Sequence, residues 1–108
     1  MTVMAEFSVV PMGQGVSISP VVAKIMKLVD ESGVSYRANP MGTVLEGDWD
    51  TVMAVVKKCH EAALQDAARV LTSIKIDDRK GSEARMDVKL ESVERKLGKK
   101  LKTGGRAG

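Results

Sequence analysis

The 108-residue chain has a single cysteine, Cys59, and only three aromatic residues, Phe7, Tyr36 and Trp49. One cysteine excludes an internal disulfide framework and a cysteine-rich zinc site, and a reducing cytoplasm is the expected compartment. Three scattered aromatics cannot build a surface that stacks several nucleic-acid bases. Histidine occurs once, as His60; with no second histidine or cysteine at ligand spacing, no metal site is expected. No apolar run reaches the ~18–20 residues of a membrane-spanning helix, so no membrane partner is expected. The opening MTVMAEF carries an acid and no basic stretch, which does not read as a secretory signal.

What is present is ordinary globular material. Apolar residues make up 44% and charged residues 29%, enough for one domain with its own core. The net charge of +3 conceals a division. Arg95, Lys96, Lys99, Lys100, Lys102 and Arg106 all follow Glu94, and no acid does. Before them stand eleven basic and fourteen acidic residues, so the body is acidic and the basic balance belongs to the tail. The expected organisation is one domain over residues 1–97 and a basic, glycine-rich tail over 98–108.

The chain reads as strands and helices in alternation. In residues 4–11, Ala5, Phe7 and Val9 alternate with Glu6, Ser8 and Val10, the period of a half-buried strand. After the loop MGQGVSIS, Ser19-Pro20 opens a helix. Its apolar stripe is read as Val22, Ile25, Met26 and Val29, and Gly33 as its stop. Residues 34–39 alternate again, NPMG turns the chain, and Thr43 to Glu46 form a short third strand. A second helix, capped by Asp48 or Asp50, buries Val52, Val55, Val56, Cys59 and Ala63. In residues 69–77, Val70, Thr72, Ile74 and Ile76 oppose Leu71, Ser73, Lys75 and Asp77. From about Glu83 a third helix carries Met86, Leu90, Val93 and Leu97 on one stripe.

This order is βαββαβ plus a C-terminal helix, an α+β, ferredoxin-like antiparallel sheet. Right-handed crossovers place the first two helices on one face. The other face is predicted to show Glu6, Ser8, Val10, Ser35, Arg37, Asn39, Leu45, Leu71, Ser73, Lys75 and Asp77. Apolar residues beside placed polar ones suit a face that pairs with another subunit or holds a ligand.

The segments FSVVPMG, NPMGTVLEG, VVKKCHEA, TSIKIDDRKG and KLESVERKL together resemble the thiamine-binding protein family, over about residues 4–97. The resemblance implies a ferredoxin-like fold and assembly of subunits into homodimers and homotetramers through their sheets. It also implies binding of thiamine, or of its hydroxymethylpyrimidine moiety, near subunit interfaces. The implied function is non-enzymatic small-molecule binding, with no cofactor beyond that ligand. The alternative is an oligomeric regulatory or structural module that responds to another small molecule or anion.

An aminopyrimidine offers ring-nitrogen acceptors and an amine donor, so fixed hydroxyls, backbone groups and a carboxylate around an apolar slot would read it. The candidates are Ser8 and Asp77 on the open face, Ser17 and Ser19 at the glycine-containing loop, Gly42 and Thr43 in the PMGT block, and Glu46 at the strand end. Gly42 reads either as a close approach of backbone or as a turn glycine with positive φ. Met12 and Met41 are read as core packing, Trp49 as packing at a helix start, and Cys59 as an inert core thiol. Glu6 and Lys75 are expected to face each other across neighbouring strands. Catalysis is not expected: there is no phosphate-cradling glycine loop, no paired histidines and no nucleophile–base set. The loop MGQGVSIS also lacks the arginine that an acylphosphatase-like reaction needs. The acidic body and the helix-facing Phe7 argue against nucleic acid.

Overall fold

The structure, a computed structural model, describes residues 2–13, 19–81 and 86–102. The elements are β1 (Val3–Pro11), α1 (Ser19–Glu31), β2 (Ser35–Asn39), β3 (Gly42–Gly47), α2 (Trp49–Leu64), β4 (Val70–Asp77) and α3 (Met86–Leu97). The four strands form one antiparallel sheet in the order β2-β3-β1-β4. This is the ferredoxin-like α+β fold, with an additional C-terminal helix.

Alternation in β1 sets the layers. Val3, Ala5, Phe7 and Val9 are buried toward α1 and α2, while Glu6 and Val10 are exposed on the other side. The helix-facing side continues through Leu45 on β3, opposite Ala5, and through Ile76 on β4. From the helices come Val21, Ile25 and Val29 of α1 and Val52, Val55, Val56, Cys59 and Ala63 of α2. Burial of these side chains is the main driving force of the fold. The five core positions read for α2 are all buried. In α1 the core position is Val21 rather than Val22, which is exposed.

The helix ends are set by local chemistry. Asp48 caps α2: its carboxylate accepts from the Thr51 backbone N–H at 3.1 Å and from the Thr51 hydroxyl at 2.6 Å. At the other end of α2, Lys24 reaches across from α1. Its ammonium donates to the Ala62 carbonyl at 3.4 Å, Gln65 Oε1 at 3.1 Å and Asp66 Oδ2 at 3.2 Å. A cation belongs at a helix C-terminus, where carbonyls are left without amide donors. Gly33, with φ of 80°, ends the turn after α1 as its sequence position predicts.

Three expectations need correction. Leu45 is not on the open face; it is fully buried against the helices, and Val44 takes the outward position. Register decides this: pairing with Ala5 fixes Leu45 on the core side. Met12 and Met41 are exposed rather than packed in the core, Met41 at 91% on the β2–β3 turn. Trp49 opens α2 but remains half exposed. The third helix forms, yet among the described residues α3 makes no extended contact with any other element. On it, Val93 and Leu97 are 50% and 54% exposed.

Candidate functional site

The face of the sheet opposite the helices is built in rows that the strand register defines. One row runs Ser35, Glu46, Met4, Asp77 from β2 to β4. The next runs Arg37, Val44, Glu6, Lys75. Beyond it Ser8 stands opposite Ser73, and Val10 opposite Leu71. Side chains alternate along each strand, so these residues share one side. Among the described residues, the helices bury their core residues against the opposite side of the sheet.

Two depressions lined by described residues mark this face. A larger one, about 600 Å³, is lined by Met4, Glu6, Val44, Lys75, Asp77 and Asp78 among others. A smaller one, about 170 Å³, touches Glu6, Ser8, Met41, Ser73 and Lys75. Glu6 and Lys75 belong to both. The two stand directly opposite each other across β1 and β4. Neither charged group takes part in an ion pair or side-chain hydrogen bond among the described residues. Gly42 borders the same spot. A Cβ built on it would lie 3.4 Å from Glu6 Cγ and 3.2 Å from the Phe7 carbonyl oxygen. Its φ is not positive. Glycine is there for the space it leaves, not for a left-handed turn.

The candidate residues therefore divide. Ser8, Gly42, Glu46 and Asp77 share the open face. Thr43 does not: it is 7% exposed, points toward the helices, and its hydroxyl donates to Met26 Sδ at 3.4 Å. Ser19 is the first residue of α1, its side chain outside the described residues, and Ser17 lies outside them altogether. Met4, Val44 and Lys75 were not singled out for the site, nor was Glu6. The alternation of β1 carries the signal for Glu6, since it shares the outward register of Ser8.

The reactive side chains sit elsewhere. Cys59 is buried on α2, 3.8 Å from the Ile25 carbonyl, and desolvation pushes its thiol up to about 11. It is a protonated core residue, not a nucleophile. His60 Nδ1 lies 2.6 Å from the Thr72 hydroxyl, joining α2 to the helix-facing side of β4. Among the described residues no group of three or more histidine, cysteine, aspartate or glutamate side chains could hold a metal ion. Among them, too, no helix is long and apolar enough to cross a membrane.

The thiamine-binding protein family model matches residues 5–94 of this chain. The chain belongs to that family. The match to the thiamine-binding protein model runs from β1 into α3, so it includes every strand of the open face. A UPF0045 protein of Methanocaldococcus jannaschii is 40% identical over 91 residues, covering 84% of this chain and 91% of its own. A UPF0045 protein of Synechocystis is 41% identical over 95 residues, covering 87% and 78%. Among solved structures, a Methanocaldococcus jannaschii protein superposes with a TM-score of 0.81 at 39% identity, covering 85% of this chain and 95% of that one. A domain of unknown function from Bacillus cereus follows at 0.76 and 36% identity, covering 83% and 88%. The chain thus shares its fold with both of these solved structures.

Proposed function

We propose that the protein is a non-enzymatic, cytoplasmic binder of thiamine, or of its hydroxymethylpyrimidine moiety. The ligand lies on the open face of the sheet, which a second copy of the chain closes. One observation carries this reading: polar groups of three strands converge with Met4 and Val44 on a face that the chain's own helices leave uncovered. Ligand sites have this composition, an apolar lining with a few placed polar groups. Family membership supports thiamine as the ligand class.

The geometry also favours binding over catalysis. Cys59 is buried, and His60 is engaged with Thr72 on the opposite side of the sheet. Neither reaches the open face. A second copy accounts for two exposed apolar surfaces at once, the sheet face with Val10 and Leu71 and the stripe of α3 with Val93 and Leu97. A ligand lodged between copies stabilises the assembly by mass action.

Calorimetric titration with thiamine and with hydroxymethylpyrimidine tests the ligand. Sedimentation velocity with and without thiamine tests the assembly. Expected are saturable heat, a raised melting temperature and a heavier species with ligand. No heat at millimolar ligand overturns the ligand, and a single-copy species under all conditions overturns the shared site.

A further inference from the structure

The site's charge arrangement goes one step beyond the identity of its ligand class. Glu6 occupies the middle of the face, between Val44 on β3 and Lys75 on β4. Opposite charges on directly facing cross-strand positions usually pair. Among the described residues they do not, and there the Glu6 carboxylate keeps its acceptor capacity. Gly42 lets the Glu6 side chain lie over the β3 backbone, since a Cβ there would sit 3.4 Å from Glu6 Cγ and 3.7 Å from its Cδ, and 3.2 Å from the Phe7 carbonyl oxygen. Apolar Met4 and Val44 flank it. The larger depression brings Asp77 and Asp78 beside Glu6, against the one ammonium of Lys75. Arg79 and Lys80 follow Asp78 in sequence but do not line it.

We propose that Glu6 is the charge-selecting residue of this face, reading a cationic, unphosphorylated ligand and disfavouring its phosphate esters. The inference rests on the thiamine reading above. The thiazolium ring of thiamine carries a permanent positive charge, whereas the diphosphate ester adds negative charge. A carboxylate flanked by apolar side chains attracts the first and repels the second, more strongly than it would in open water. Lys75 limits the selection, because its ammonium favours the ester.

The experiment is calorimetric titration of the full chain with thiamine, thiamine diphosphate and neutral hydroxymethylpyrimidine, at low and at high salt. The parent is expected to prefer thiamine over the diphosphate by about tenfold or more at low salt, the effect of one close unit charge at interfacial dielectric. High salt shrinks that preference. Glu6→Gln, at an exposed position, is expected to leave the unfolding curve in place and to cut the preference about tenfold. Hydroxymethylpyrimidine affinity moves less. Lys75→Met widens the preference. A parent that binds the diphosphate as tightly as thiamine overturns the selection while the thiamine reading stands. An unchanged ratio in Glu6→Gln removes Glu6 from the role. A parent that binds neither thiamine nor hydroxymethylpyrimidine overturns both inferences together.

Discussion

The Thr43 hydroxyl donates to the sulfur of Met26, tying β3 to α1 on the buried side of the sheet. Among the described residues Thr43 is the one buried polar residue, and its partner is a weak acceptor. Replacing it with valine keeps the shape and removes a hydroxyl of small net value. Thr43→Val is expected to stay within about 1 kcal/mol of the parent in urea unfolding. Thr43→Ser loses a buried methyl and is expected to cost about 1 kcal/mol. Both variants should bind thiamine as the parent does. A tenfold loss of affinity in a stable Thr43→Val protein would place the hydroxyl in the site after all.

Cys59 provides a second test. Its folded pKa of about 11 stands above the ordinary 9.0 because burial penalises the thiolate. At pH between those values the unfolded chain has released a proton that the folded chain still holds. Stability is therefore intact below pH ~9 and falls as pH rises toward ~11. Cys59→Ala should remove that alkaline dependence, at the cost of a small cavity. In the parent at pH 8, alkylation by iodoacetamide should proceed only as fast as the protein opens. Rapid labelling of the folded protein would show an accessible thiol instead.

The α2 cap makes the acid side testable. Hydrogen bonds from the Thr51 hydroxyl and backbone hold the Asp48 carboxyl below its ordinary 3.8. The stability it contributes is present above that value and is lost as pH falls through the lowered pKa. Asp48→Asn keeps an acceptor at the cap and should abolish this portion of the pH dependence. Asp48→Ala should lower the melting temperature at neutral pH and narrow the gap to the parent under acid. A gap constant from pH 7 to pH 2 would contradict the assignment.

If α3 is an assembly surface, its exposed stripe is the place to break it. Val93→Asp with Leu97→Asp is expected to leave the circular dichroism spectrum and the monomer core untouched, because among the described residues α3 adds nothing extended to that core. Sedimentation should show a lighter species. Unchanged mass would assign the contact to the sheet face alone.

The sequence pattern was readable where one face of an element is buried and the other wet. The alternation of β1 and β4 and the stripe of α2 place their residues as found, because partition between core and water imposes the period. Thr43 to Glu46 failed for a physical reason. Four residues with adjacent apolar Val44 and Leu45 fit either facing, and the choice is made by pairing with β1, far away in sequence. In α1 the adjacent Val21 and Val22 present the same ambiguity. For the site, the meeting of Ser8, Glu46 and Asp77 on one face follows from alternation plus topology. The close approach of the Glu6 side chain to Gly42 depends on side-chain placement between two strands, which no local pattern encodes.

The strand order also bears on biosynthesis. β1 is translated first yet stands in the interior of the sheet, and both its neighbours, β3 and β4, are made later. Until Asp77 has left the ribosome, the nascent chain exposes Ala5, Phe7 and Val9 beside an unfilled edge. The sheet can therefore close around its first strand only once β4 has been made, a pairing distant in sequence and slow to form.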